Sequence, residues 1–161
     1  MSAPDSTPPP DPATSWDFAT PHIVAVAVLD SDIDAYDHVN NAIYLSWLDL
    51  AAWSHSAALG LSLDQCVGTL RRGMAAHHTE IDYLRAAVLG DDVLVGTWIV
   101  GTDTKLRVER RFQVRRARDG ATLARARIDY VCINLDTGRA TRMPEIFQRS
   151  YIITTSSLNK R

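Results

Sequence analysis

Four aspartates, Asp30, Asp32, Asp34 and Asp37, stand within eight positions and are followed at once by His38, Asn40 and Asn41. Carboxylates this dense suit three tasks: holding a divalent cation, acting as nucleophile or general base, or capping backbone N–H groups. Asp30, Asp32 and Asp34 match positions 1, 3 and 5 of a calcium loop, but position 6 is Ala35 rather than glycine and position 12 is Asn41 rather than glutamate. No metal is expected there. His77-His78 cannot chelate one ion together either, because neighbours on a strand point to opposite faces. Serine-hydrolase chemistry lacks its GxSxG turn, the nearest serine being Ser62 in GLSLD. What remains is an acidic loop set against the start of a helix, able to supply an attacking oxygen or merely to cap.

The flanking elements must position that loop. Ile23 to Leu29 is a short β-branched run and reads as a buried first strand. From Ala42 to Trp53 the chain is apolar on nearly every side, with no Pro or Gly until Gly60. This predicts a long helix with an Asn N-cap and Gly60 as its C′ residue. Its polar positions, Ser46, Asp49 and Ser56, fall on one thin line, so the helix is expected to be enclosed almost all round. A membrane span is rejected, since Asp49 near the middle would cost roughly 2.5–3.5 kcal/mol and no second span follows.

From Arg71 onward the pattern is that of strands: Met74 to Leu84, Val93 to Val100, Lys105 to Arg116 and Thr122 to Asn134, with a hairpin turn at Asp119-Gly120. Arg110 breaks its strand's alternation by landing on the apolar face. Pro144-Glu145 opens a short closing helix. One strand, one long helix and a meander of strands make an α+β domain, with an antiparallel sheet curled around one buried helix. Sequence neighbours are expected side by side in that sheet. One sheet leaves an edge to cover, so a homo-oligomer is expected.

At 161 residues the chain is one domain by length, and 46% hydrophobic with 22% charged residues is ordinary globular composition. Residues 1–15, rich in Pro, Ser and Asp, are expected to be a disordered leader, 16–153 the folded domain and 154–161 a flexible tail. A net charge of −2 argues against a nucleic-acid partner. The two cysteines, Cys66 and Cys132, show no metal-ligand spacing, and no signal peptide is expected, which together suggest a reduced, cytoplasmic setting.

The pattern Asp32-x-Asp34-Ala-x-x-His38-Val-Asn40-Asn41-x-x-Tyr44 resembles the signature of the 4-hydroxybenzoyl-CoA thioesterase family of hot-dog-fold proteins. Tyr83-Leu84-Arg85-Ala86-Ala87-x-x-Gly90-Asp91 and Thr137-Gly138-Arg139 are similar to two further family segments, and the likeness runs from Ile23 to Ile146. One departure is Asp37, where the family usually has Gly, which implies a positive φ at that residue. The resemblance implies a five- or six-stranded sheet wrapping the helix and hydrolysis of an acyl-CoA thioester at a dimer interface.

Carried over residue by residue, the resemblance makes Asp34 the catalytic carboxylate. It either attacks the carbonyl to give a mixed anhydride or takes a proton from water. The N–H of Asn41, at the positive end of the helix, would hold the oxyanion. His38 is expected to orient Asp34 or line the acyl pocket, and Tyr44 to line it unless it is core. Arg71, Arg72 and Arg110 are the candidates for the coenzyme A phosphates, because guanidinium binds phosphate bidentately. No cofactor or metal is implied, coenzyme A being part of the substrate, and the expected assembly is a homodimer or homotetramer without membrane partner. Two alternatives stand beside this one: a non-catalytic acyl-thioester sensor on the same fold, and a thioesterase acting on acyl-carrier-protein substrates.

Overall fold

The apolar run forms α1 (Asn41–Ala58). Asn40 caps it, its Oδ1 accepting from the Ala42 N–H at 2.9 Å. Gly60, at φ +93°, ends it: Gly60 N–H donates to the Ala57 carbonyl and Leu61 N–H to that of Ser56, a Schellman pair that only a left-handed residue at Gly60 permits. The structure, a computed structural model, describes residues 16–155. The expected leader and residues 156–161 of the expected tail lie outside the described residues.

Five strands form the sheet that packs on α1: β1 (His22–Ala27), β2 (Arg72–Tyr83), β3 (Asp92–Thr102), β4 (Arg107–Arg116) and β5 (Thr122–Asn134), with α2 (Glu145–Ser150) after them. All pairings are antiparallel and the order is β1-β3-β4-β5-β2. The meander holds for β3, β4 and β5. It fails for β1 and β2, which occupy opposite edges, because α1 and a π-helical turn (Gln65–Leu70) carry the chain across the sheet between them.

The inward side chains Val93, Val95, Phe112, Val114 and Ile128 pack on Tyr44, Leu48, Ala51 and Ala52. Each large side chain fully buried there contributes about 1.5–3 kcal/mol. A second cluster, with Leu61, Ile99, Met143, Phe147 and Tyr151, fills the far end beneath α2. On the outer face Trp16 and Phe18 close edge-on over Trp98. Gly96 makes room for this, since a Cβ there would sit 2.7 Å from the Trp16 ring.

Two expectations need correction. The helix is not enclosed by its own chain: Leu45, Leu50 and Trp53 remain 46%, 49% and 44% exposed, because one curled sheet covers one side of a helix. Thr154, expected in the flexible tail, instead exchanges hydrogen bonds with Ile99 at 3.0 Å in each direction, extending the cover of β3.

Candidate active site

Backbone hydrogen bonds dictate the shape of the acidic loop. After β1 the chain makes one 3-10 turn (Asp30–Asp32), and the Asp32 carboxylate accepts from the Leu29 N–H at 2.9 Å. Ile33 then bridges to Val39, and between them Asp34 N–H donates to the His38 carbonyl at 2.8 Å. Asp37 sits at φ +59°, the conformation inferred from the family's glycine, and its N–H donates to the Asp34 carbonyl. Asp tolerates that conformation better than most residues do. Asn40 N–H returns to the Asp32 carbonyl at 2.8 Å, and Val39 N–H reaches the Ala87 carbonyl at 2.9 Å. The loop is therefore anchored on both sides, with Asp32 as a cap and Asp34 opening the turn at Ala35-Tyr36.

Asp34 Oδ1 accepts from the Tyr36 N–H at 2.9 Å, and among the described residues Oδ2 meets no donor. At the start of α1, Ala42 N–H is taken by Asn40 Oδ1 and Ile43 N–H by the Asn40 carbonyl. Asn41 N–H is left: among the described residues it meets no acceptor, although it lies at the positive end of an 18-residue helix. Asp34 and Asn41 line the same pocket of about 650 Å³, with Tyr36, His38, Tyr44, Tyr83, Leu84 and Arg85. One face thus offers a carboxylate oxygen and one an unsatisfied N–H, the pair that addition to a polarised carbonyl requires.

The structure brings together four of the residues singled out in the sequence: Asp34, His38, Asn41 and Tyr44. The His38 side chain is exposed and its contact with Asp34 runs through the backbone. Tyr44 is buried, and its hydroxyl accepts from the Ala87 N–H at 2.9 Å, so it secures the segment that closes the pocket. Arg71, Arg72 and Arg110 are not in this pocket. Arg71 pairs with Asp136 at 2.8 Å, and Arg72 donates to the carbonyl of Arg71 at 2.9 Å. They stand at the opposite end of β2 from Tyr83, roughly 35 Å of extended chain away. Arg110 lies inside the domain, 3% exposed, under the C-terminal half of α1.

Two residues of the pocket escaped the reading by residue type. Tyr83 donates to the Asn41 carbonyl at 3.0 Å and meets the Tyr44 ring edge-on at 5.3 Å, tying the end of β2 to the helix start. Arg85 brings a guanidinium to the rim, bonded to the Thr122 carbonyl. Both belong to the Tyr83–Ala87 motif, which was the available signal. Among the described residues no group of His, Cys, Asp or Glu can hold a metal ion, and no helix is long and apolar enough to cross a membrane.

Comparison with known proteins bears on the family and the fold. The profile of the thioesterase-like superfamily matches residues 28–150. Protein THEM6 of Danio rerio is 34% identical over 97 residues, 60% of this chain and 47% of that protein, so the chain spans about half the length of this curated relative. Among solved structures, a 1,4-dihydroxy-2-naphthoyl-CoA thioesterase from Synechocystis is similar, with 23% identity, 82% of this chain and 96% of that one covered, and a TM-score of 0.73. A Staphylococcus aureus protein solved in complex with CoA superposes with a TM-score of 0.74 at 22% identity, covering 81% of each chain. The two structural likenesses establish the hot-dog fold.

Proposed function

The chain belongs to the thioesterase-like superfamily, and on that footing we propose that it hydrolyses an acyl-CoA thioester to free acid and coenzyme A. The observation that carries this reading is the pocket shared by the Asp34 carboxylate and the unsatisfied Asn41 N–H. The signature around Asp34 supports a catalyst of the 4-hydroxybenzoyl-CoA thioesterase type. With the thioester carbonyl oxygen on the Asn41 N–H, the helix dipole draws charge from the carbonyl carbon. Asp34 Oδ2 then attacks that carbon and the C–S bond breaks, leaving a mixed anhydride that water opens to the free acid and the Asp34 carboxylate, or it removes a proton from the water that attacks. The leaving thiolate is stable enough that neither route calls for a metal.

Arg85 is the guanidinium at the pocket rim and is assigned to the phosphates of the carrier, with Arg71 and Arg72 serving contacts near Asp136 in this chain. The uncovered side of α1 and the free edge of β2 together support a homodimer, which would wall the pocket from the other side. Light scattering of the purified chain checks that assembly.

Thiol release from a panel of acyl-CoAs tests the activity. Asp34→Asn should lower kcat by about 10²–10⁴ while acyl-CoA binding persists. Wild-type binding without turnover of any acyl-CoA rejects the enzyme in favour of a sensor, and turnover confined to acyl-carrier-protein thioesters moves the substrate to that carrier. Single turnover in ¹⁸O-water identifies the covalent route, because an unlabelled first product with a labelled Asp34 arises only when the carboxylate attacks and water then opens the anhydride at the Asp34 carbon.

A further inference from the structure

A second cleft opens beneath the C-terminal half of α1. Ala52, Trp53, Met74, Val108 and Phe147 make it largely apolar, whereas its polar lining gathers around Arg110. One Arg110 amino group lies 2.7 Å from His55 Nδ1 and the other donates to Ser56 Oγ at 3.1 Å; its guanidinium also stands 5.7 Å over the Tyr151 ring. The Tyr151 hydroxyl accepts from it as well, and since a guanidinium has five N–H donors these contacts still leave some unused. Among the described residues no carboxylate comes within 4.0 Å of it, and Asp49, at the same cleft, forms no pair with it.

The neighbours that could neutralise this charge do not. Burial, then Arg110 and the stacked His22, hold His55 down at about 3, so its ring is neutral and Nδ1 accepts. Burial pushes the Tyr130 hydroxyl up to about 12 and raises that of Tyr151 as well. A cation this deep with only neutral partners is expensive to keep, and an anion entering the cleft would relieve it.

The cleft also extends along the helix toward its N-terminal half. A groove along α1, lined by Ala42, Leu45, Asp49, Ala76 and Tyr130, shares Asp49, Ala76 and Tyr130 with the cleft and begins one residue after Asn41. From Asn41 to Ser56 the helix rises about 22 Å.

We propose that this cleft is a carboxylate-binding site, in which Arg110 receives the anionic end of a ligand with a long apolar stem. The stem lies on the apolar walls, and the carboxylate accepts from the unused guanidinium N–H groups. Such a carboxylate has two sources: the far end of the substrate's acyl group, or a separate free fatty acid.

Calorimetric titration of the full chain with a long-chain fatty acid, the alcohol of equal length and the methyl ester tests the site. The acid should bind at least tenfold tighter than either neutral ligand, as a charge-assisted pair requires. That advantage should disappear in Arg110→Met. Should that variant not fold, Ala76→Phe, on an exposed position of the edge strand, blocks the cleft and must remove the same advantage. No binding of the acid, equal binding of acid and alcohol, or an advantage that survives in a folded variant would overturn the proposal. Hydrolysis assigns the source. A preference in kcat/KM for ω-carboxyacyl-CoA over the unsubstituted chain, lost in Arg110→Met, places the carboxylate on the substrate; acid binding without that preference makes it a separate fatty acid. The titration needs no turnover, so its failure leaves the thioesterase reading untouched.

Discussion

The two ends of α1 handle charge in opposite ways. At the N-terminus the acidic Asp34 is partly exposed and sits where the helix dipole favours a negative group. At the C-terminal end the cationic Arg110 sits where the dipole favours a positive one, yet it is buried and its partners are neutral. The first arrangement keeps a functional group solvated and open to a reactant. The second keeps one desolvated and immobile, which suits recognition of an anion. On the two proposals made above, the same macrodipole supports chemistry at one end and binding at the other, and water access separates them.

The sharpest way to break this comparison is to measure stability beside activity. Asp34→Asn should cost the hundredfold or greater loss of turnover described above, yet shift the unfolding free energy by less than about 0.5 kcal/mol, because the amide oxygen can still accept from Tyr36. A urea-melt loss well above that value would make Asp34 a structural cap instead.

At the buried end the expected effect is on stability and follows pH. His55 lies under Arg110, stacks on His22 at 4.9 Å and is held at about 3 against an ordinary 6.5. Between those values the unfolded chain binds a proton that the native one refuses. The stabilisation is therefore whole above pH 6.5 and shrinks as pH falls toward 3, by up to about 1.4 kcal/mol per pH unit. His22, lowered chiefly by burial, works in the same direction. Urea melts at stepped pH should show this limb in the wild type and a shallower one in His55→Gln; parallel limbs would mean that His55 is not the group responsible.

A smaller effect is expected at the hinge between loop and sheet. Tyr44→Phe deprives the buried Ala87 N–H of its acceptor and should cost about 1–3 kcal/mol, read as a lower denaturation midpoint with the turnover defect confined to KM. The smallest concerns the cap. Asn40→Ala removes the Oδ1 bond to Ala42 N–H and should lower stability by about 1 kcal/mol. It also frees a second N–H beside that of Asn41, so a rise in kcat against a fall in stability would tighten the link between free amides and catalysis.

Much of this was legible in the order of residues. Asn40, Gly60, Asp119-Gly120 and Pro144 mark element ends by local chemistry, and the strands and helix lie where they indicate. Asp34, His38, Asn41 and Tyr44 were legible because eleven consecutive positions carry all four and one loop folds them together. Tyr83 and Arg85 were harder, since they reach the pocket only through the pairing of β2 with β5 at the far edge, a crossover the meander pattern hid.

Arg110 shows where one-dimensional reading stops. Its place on the apolar face followed from strand alternation alone. That it meets His55 and Ser56, fifty-odd positions earlier, with no carboxylate beside it among the described residues, depends on how α1 lies across β4. Alternation and capping are set by covalent neighbours, so the order of residues determined the elements and the acidic loop. Which charges end up dry, which amides stay unpaired and which side of α1 is left uncovered depend on packing between distant segments, and only the tertiary structure decided those.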